Sequence, residues 1–215
     1  MNIKYLGHAS FYLRGKDAKV VMDPYNPSIG LKFPKTEADI VTISHGHDDH
    51  NYPQGVTGEP LVIDWPGEYE KKGVRVIGYA THHDKEKGKE RGDNVMFRFE
   101  ADGITILHCG DLGHTLSDDT LEAIGDIDIL MIPVGGYYTI DAKEAVAVIK
   151  QVEPAIVIPM HYRTKAHDDK VFGEVAPLED FLKAYGTENP ETVDQLTIKK
   201  EDIGEETKVI VMNAS

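Results

Sequence analysis

The segment at positions 45–50, His-Gly-His-Asp-Asp-His, carries four candidate metal ligands, His45, His47, Asp49 and His50, within six residues. It directly follows an apolar, β-branched run that predicts a strand. His45 and His47 lie two residues apart, so an extended backbone points both side chains the same way and lets them reach one metal ion. The chain then turns, which allows Asp49 and His50 to face a second position nearby. Imidazole and carboxylate groups are suitable ligands for zinc, iron or manganese.

Three later segments place similar side chains at the predicted ends of apolar strands. The first contains His82 and His83, and because adjacent residues of a strand point in opposite directions, we expect only one of the two to bind metal. In the second, an apolar strand runs into Gly110-Asp111. A carboxylate there either holds one oxygen toward each of two metal ions or serves only as a turn residue. In the third, a buried strand ends at His161.

The pattern His-x-His-x-Asp-His after an apolar strand resembles the signature of the metallo-β-lactamase superfamily. The later segments occur in the order of that family's further ligands: a His after a later strand, an Asp in a Gly-Asp pair and a His near the C-terminal end. Pro-Met-His-Tyr at 159–162, with the stretches at 5–10 and 133–136, resembles the ascorbate-6-phosphate-lactonase-like branch of Zn-dependent hydrolases. The resemblance spans nearly the whole chain.

The resemblance implies an α/β fold: an αββα sandwich of two mixed β-sheets flanked by helices, with metal ions at one edge between the sheets. Related branches show an Ala-x-His pattern at the second segment, which selects His82 over His83. The implied ligands are His45, His47 and His82 for the first metal ion, Asp49, His50 and His161 for the second, and Asp111 as the bridge between them.

The function that this resemblance implies is metal-dependent hydrolysis with two divalent ions as cofactors, zinc in the first place and manganese or iron as alternatives. A hydroxide held between the ions attacks the substrate, and Asp49 and Asp111 are the expected catalytic residues, with Asp49 as a proton shuttle. The expected substrate is a small molecule: an anionic ester, lactone or phosphoester. Two alternatives stay open. One is a phosphodiesterase or nuclease acting on nucleotides or short nucleic acid, and the other is a non-hydrolytic di-metal redox or binding protein.

Length and composition limit the classes of protein to which the chain can belong. With 215 residues, 40% of them hydrophobic, it can bury a sizeable core, and we expect one domain over 1–215. The net charge of -14 argues against binding to long nucleic acids, which need a basic surface. No apolar run reaches the ~18 residues of a membrane span, no signal peptide is recognisable, and the single Cys109 cannot form an internal disulfide. A cytoplasmic location without membrane contact is therefore expected; the oligomeric state is open, a homo-oligomer included.

Hydrophobic periodicity predicts the elements that position these residues. Short β-branched runs dominate the first half, and the Asp-Gly pair at 102–103 predicts a hairpin. The second half alternates strands with helices, for which Ser117 and Asp141 are candidate N-caps and Pro177 is a first-turn residue. This order indicates two sheets covered by helices rather than one doubly wound sheet. The predicted strands are 3–6, 10–13, 19–22, 40–43, 61–63, 74–77, 95–99, 104–107, 127–132, 155–158, 196–198 and 209–212, and the helices are 116–124, 141–152 and 177–185.

Some residues outside the motifs have two open interpretations. The charged, glycine-containing run 85–91 is either a solvated loop or a substrate lid. His8 is either structural or close to the site. Cys109 has no evident partner base, so we interpret it as a packed core thiol.

Overall fold

Most strands of the protein are short runs of β-branched, aliphatic and aromatic residues, which fit a pleated surface that is buried on at least one face. The computed structural model describes all residues, 1–215. The strands are β1 (Asn2–Gly7), β2 (Ser10–Arg14), β3 (Lys19–Met22), β4 (Thr36–Glu37), β5 (Ile40–Thr42), β6 (Val56–Thr57), β7 (Leu61–Ile63), β8 (Gly67–Lys71), β9 (Val74–His82), β10 (Asp93–Ala101), β11 (Ile104–His108), β12 (Ile129–Pro133), β13 (Ile156–Met160), β14 (Glu191–Val193), β15 (Leu196–Thr197) and β16 (Lys208–Met212). The helices are α1 (Asp118–Ile124), α2 (Ala142–Val152), α3 (Asp169–Phe172) and α4 (Leu178–Tyr185).

The strands form two large mixed sheets. The first has the order β15-β1-β2-β3-β5-β7, antiparallel from β15 to β3 and parallel from β3 to β7. The second has the order β14-β16-β13-β12-β11-β10-β9-β8, antiparallel from β8 to β11 and parallel from β11 to β14. β4 and β6 form a separate parallel pair. Two mixed sheets with a few helices confirm the predicted fold class.

A hydrophobic core of 46 buried residues contains side chains of both large sheets and of the helices. Phe11 and Leu13 of β2 and Phe97 and Phe99 of β10 are fully buried within it. Burying one side chain of this size stabilises a fold by roughly 2–3 kcal/mol, so this core is the main force that joins the sheets. A second cluster of 11 buried residues, which includes Phe172, covers the opposite face of the first sheet.

Three of the helices start within two residues of the predicted positions. Ser117 caps α1 by accepting a hydrogen bond from the backbone N–H of Thr120. Asp141 and Glu144 form a capping box at the start of α2. Gly186, in the left-handed conformation, ends α4. None of the helices is long and apolar enough to cross a membrane.

The structure differs from the sequence prediction mainly at polar strand segments. β9 and β10 are each nine residues long, because polar residues at their ends, such as Thr81 and Asn94, pair with each other. β13 runs through Pro159 to Met160, since its parallel pairing with β12 continues there. The sequence does not predict β8 and β14. Both are edge strands of the second sheet, largely exposed, and therefore lack an apolar run.

Strand ends from the two sheets meet at one edge of the fold. β5 of the first sheet leads into the loop of His45, whereas β9, β11 and β13 of the second sheet end next to His83, Asp111 and His161. β11 and β13 are both parallel to β12, so their carboxyl ends share an edge. β9 runs in the same direction, because β9 and β11 are both antiparallel to β10. The topology thus gathers segments that are far apart in sequence.

Candidate metal centre

The carboxylate of Asp111 lies at the centre of a cluster of histidines. Asp111 is only 1% exposed. The distances from its carboxylate oxygens to imidazole Nε2 atoms are 3.1 Å for His50, 3.1 Å for His83, 3.3 Å for His161 and 3.8 Å for His45. Side chains from four separate strand ends therefore share one site.

The side chains of the cluster form three groups whose possible ligand atoms lie within 4.8 Å of one another. Two of them are His45, His47 and His83, and Asp49, His50 and His161 with His8; the third, His45, His50 and Asp111, links these two. Asp111 contacts members of both. Six of the seven predicted site residues are thus brought together: His45, His47, Asp49, His50, Asp111 and His161.

His82 is the predicted residue that the structure places outside the cluster, and His83 takes its position. The His82 side chain is 39% exposed and its Nδ1 lies 3.3 Å from the carboxylate of Asp93, whereas His83 is buried beside Asp111. Adjacent residues do point in opposite directions here, but the Ala-x-His resemblance selected the residue that points away from the cluster. The buried face of β9 changes near its end: Val74 and Val76 are buried upstream, whereas Thr81 is buried just before His83.

Asp23 holds His50 in position, a role that sequence reasoning missed. Its Oδ2 accepts a hydrogen bond of 2.7 Å from His50 Nδ1, and its two oxygens accept bonds of 2.8 and 2.6 Å from the N–H and Oγ of Ser44. Asp23 and His50 are fully buried. Because Asp23 engages Nδ1, Nε2, which faces Asp111, is the nitrogen of His50 that can bind a metal ion once its proton is displaced.

A second buried polar residue, Asn94, holds the segment that carries Asp111. Its Oδ1 accepts from the N–H of Asp111 at 2.9 Å, and its Nδ2 donates to the carbonyl of Cys109 at 3.0 Å. Gly110, between Cys109 and Asp111, has a φ of 54°, and a Cβ at this position would collide with Asn94 and Ser44. Cys109 is fully buried, as predicted for a core thiol, and burial raises its pKa. The Gly-Asp pair is therefore fixed by its close approach to neighbouring side chains.

His8, in the turn between β1 and β2, also belongs to the site. It is buried, and its Nε2 lies 3.1 Å from Oδ2 of Asp49. Its ring is 4.1 Å from that of His161, measured between centroids, and its carbonyl accepts the N–H of His161 at 2.8 Å. Of the two open interpretations of His8, the structure favours the one close to the site. Its contacts place it beside Asp49 rather than in direct contact with Asp111.

Several ligand-type atoms of the cluster are buried without a hydrogen-bond partner. They include Nε2 of His45, His50 and His161 and Oδ1 of Asp111. A buried polar atom without a partner typically costs about 1–3 kcal/mol, so four such atoms facing one another need an explanation. A divalent cation would satisfy them, and imidazole nitrogens with carboxylate oxygens form the donor set that zinc, manganese and iron accept. The residues present therefore fit a metal centre.

The ionised Asp111 and the neutral His45 suit cation binding, whereas His50 must first lose a proton. Burial would raise the pKa of Asp111, but His161 and His50 hold the pKa well below its usual value, so the carboxylate is ionised. Burial, assisted by His50, lowers the pKa of His45 to about 3, which keeps this imidazole neutral. For His50, Asp111 and Asp49 outweigh burial and raise the pKa well above its usual value. A metal ion binding at His50 must therefore displace a proton.

A cavity of about 490 Å³ opens over the cluster. It gives access to the exposed His47 and the partly exposed Asp49, whereas Asp111 forms part of its floor. The opposite walls combine apolar and charged side chains. The remaining residues that line it are Ser28, Ile29, Asp48, His83, Glu90, Arg91, Tyr138, Val171 and Phe172.

Comparison with known proteins places this fold and site in a family. The profile of the family described as "Beta-lactamase superfamily domain" matches residues 2–161. A UPF0173 metal-dependent hydrolase of Thermoplasma acidophilum is 32% identical over 190 residues, which cover 76% of this chain and 84% of that protein.

Solved structures agree with this assignment. A candidate Zn-dependent hydrolase of the metallo-β-lactamase superfamily from Thermotoga maritima is 38% identical, with a TM-score of 0.81 and coverage of 98% of this chain and 97% of that one. A metallo hydrolase of Ignicoccus hospitalis, at 20% identity, shares the fold with a TM-score of 0.68 over 100% of this chain and 95% of its own. The chain therefore belongs to the metallo-β-lactamase superfamily of metal-dependent hydrolases.

Proposed function

We propose that the protein is a hydrolase that binds two divalent metal ions, zinc in the first place, with manganese or iron as alternatives. The observation that carries the proposal is the position of Asp111, whose carboxylate lies within 3.8 Å of histidines from both groups of ligand-type side chains. A carboxylate between two cations offsets their mutual repulsion. The proposed ligands are His45, His47 and His83 for one ion, Asp49, His50 and His161 for the other, and Asp111 for both.

Bound divalent ions lower the pKa of a water molecule and stabilise the negative charge that develops during hydrolysis. The protein contributes the positions of the groups around that chemistry. Asp23 orients the His50 ring so that Nε2 faces the cluster, and His8 holds Oδ2 of Asp49 in place. His50 and His8 outweigh burial and lower the pKa of Asp49, which is therefore ionised. Because Asp49 also lines the cavity, we propose that it takes up the proton that the nucleophilic water loses.

The substrate that we propose is a small anionic ester, lactone or phosphoester. A cavity of about 490 Å³ has the size of a small-molecule site. The net charge of -14 disfavours long polyanions. The apolar side chains of Ile29, Val171 and Phe172 can hold the uncharged part of such a molecule.

Metal content and turnover test this proposal together. Zinc-loaded protein should retain two zinc ions per chain after dialysis, measured by plasma mass spectrometry, and should hydrolyse at least one member of a panel of aryl esters, lactones and phosphodiesters. Removing the metal with a chelator should abolish turnover. It should also lower the melting temperature, because a ligand at about a thousand times its Kd stabilises the folded state by roughly 4 kcal/mol.

Re-addition of zinc should restore both properties, and heat-treated protein is the control for non-specific hydrolysis. Retention of two zinc ions with no turnover on the whole panel, combined with reduction of oxygen or peroxide by the iron- or manganese-loaded protein and an added reductant, would contradict the hydrolase proposal and favour a redox protein.

Replacing Asp23 by Asn should weaken zinc binding about 10- to 100-fold, as is typical when a partner of a metal-binding histidine is lost. The Asn amide lacks the negative charge that holds the Nδ1 proton of His50. A competition titration with a chromophoric chelator measures the effect. Asp128→Asn is the matched control, because Asp128 also accepts a backbone N–H but lies at the opposite ends of β11 and β12. Zinc affinities of Asp23→Asn and Asp128→Asn that agree within twofold would argue against this role.

A further inference from the structure

The loop from Asp84 to Gly92 forms one wall of the cavity and is ordered by a single carboxylate. Asp84, directly after His83, is buried, and its two oxygens accept four backbone N–H bonds of 2.8–3.0 Å from within the loop. Burial opposes the charge of Asp84, but these donors outweigh it and lower its pKa to about 2. The N–H of His83 donates to the carbonyl of Gly92, which closes the loop at its base. The donors to Asp84 are Glu86, Gly88, Glu90 and Arg91.

This arrangement fixes the backbone of Arg91 beside the metal centre. The N–H of Arg91 donates to Oδ2 of Asp84 at 2.8 Å. Its guanidinium carbon lies 5.9 Å from the centre of the Tyr138 ring, within the range of a cation–π contact. Tyr138 is held in turn by a hydrogen bond from its hydroxyl to the carbonyl of Val171. The guanidinium therefore has a defined location on the wall of the cavity.

The charge of Arg91 has only one weak counter-charge within the protein. Its guanidinium makes no hydrogen bond, and its nearest carboxylate is that of Glu90, at 3.6 Å and largely exposed to solvent. An exposed ion pair of this kind contributes little energy. Arg91 is also the only Lys or Arg among the residues that line the cavity. Lys85, on the same loop, is paired with Glu144 and lines only a neighbouring depression, which Arg91 also borders.

We propose that Arg91 binds an oxyanion group of the substrate, a carboxylate or phosphate that lies apart from the bond to be hydrolysed. This inference rests on the proposed hydrolase function and names the residue that sets its preference for anionic substrates. The guanidinium presents a planar fork of N–H donors that matches two oxygens of either group. Asp84 is a positioning residue, because it holds the loop in the conformation that directs Arg91 to the cavity.

A rigid pair of esters tests the proposal on zinc-loaded protein. 4-Acetoxybenzoate carries a carboxylate, and methyl 4-acetoxybenzoate is its neutral counterpart; hydrolysis of each releases acetate and a phenol. The wild-type protein should prefer the anionic ester in kcat/KM. Arg91→Met should lower the anionic-to-neutral ratio by roughly tenfold or more, mainly through KM, as expected for the loss of a charged hydrogen bond. 4-Acetoxyphenyl phosphate, tested in parallel, shows whether phosphate or carboxylate is preferred.

Lys85→Met is the matched control, with the same change of charge on the same loop, and should leave the ratio within twofold of the wild-type value. An unchanged ratio in Arg91→Met, with zinc content retained, would overturn the proposal. An equal fall of the anionic-to-neutral ratio in Arg91→Met and Lys85→Met would also overturn it, since the effect would then come from the overall positive charge of the loop. If Arg91→Met does not fold, Arg91→Gln replaces it, with the same expected loss.

Anion binding keeps this test independent of hydrolysis. Should the wild-type protein hydrolyse neither ester, the proposed function fails for this substrate class, while calorimetric titration of the zinc-loaded protein with inorganic phosphate still measures the role of Arg91. We expect Arg91→Met to weaken phosphate binding at least about fivefold and Lys85→Met to leave it unchanged. Equal phosphate affinities of the wild-type protein and Arg91→Met would overturn the assignment of Arg91.

Discussion

Replacing Asp111 by Asn should lower hydrolytic turnover by roughly a thousandfold or more and reduce the bound zinc from two ions to one or none. The substitution keeps the shape of the side chain and removes its charge. Two divalent ions a few ångströms apart repel each other strongly where water is excluded, and Asp111 is the carboxylate that contacts histidines of both ligand groups. The loss of its charge should therefore weaken the pair of ions as well as the reaction.

Zinc content by mass spectrometry and kcat on the best panel substrate measure the effect of Asp111→Asn. Asp93→Asn is a suitable control, because Asp93 lies on neighbouring β10 but its side chain is 87% exposed and contacts only His82 among the histidines. Two zinc ions and near-normal turnover in Asp111→Asn would remove Asp111 from the site, and the two-metal mechanism would fail with it.

Replacing His83 by Ala should remove one zinc ion and lower turnover by roughly a hundredfold or more, whereas His82→Ala should change both by less than about threefold. The two residues are adjacent and chemically identical, so each variant is the control for the other. His83 Nε2 lies 3.1 Å from Asp111, while His82 faces Asp93 at the surface. A deeper loss in His82→Ala than in His83→Ala would reverse the assignment that the geometry supports.

The central part of the site could be predicted from the sequence because its ligands are local. His45, His47, Asp49 and His50 lie within one turn after a strand, so their type and spacing are visible without the fold. Asp111 and His161 follow the apolar strands β11 and β13, and their order along the chain matched that of a known family. The sheet topology then brings these strand ends to one edge.

The residues that sequence reasoning missed depend on contacts between distant segments. Asp23 and His50 are 27 positions apart, and Asn94 and Asp111 are 17 apart, so no local pattern connects either pair. An Asp before a proline at 23–24 indicates a turn, although Asp23 is fully buried. Only the folded chain shows that its carboxylate is satisfied by three donors.

The choice between His82 and His83 shows a limit of motif resemblance. The Ala-x-His resemblance selected His82, and the buried Val74 and Val76, which have the same parity along β9, would not have corrected that choice. Near the end of the strand the opposite face is covered instead, by segments such as the one that contains Gly113, whose N–H donates to the carbonyl of His82. Hydrophobic periodicity identifies which face of a strand is buried. It does not show where along the strand the other face becomes buried instead.

The central claim is that two metal ions share Asp111 at this edge of the fold, and anomalous diffraction at the zinc absorption edge from crystals of zinc-loaded protein tests it most directly. The account predicts two anomalous peaks roughly 3.5–4 Å apart, one beside His45, His47 and His83 and one beside Asp49, His50 and His161, with the carboxylate of Asp111 in contact with both. A single peak, or two peaks that do not share Asp111, would contradict it.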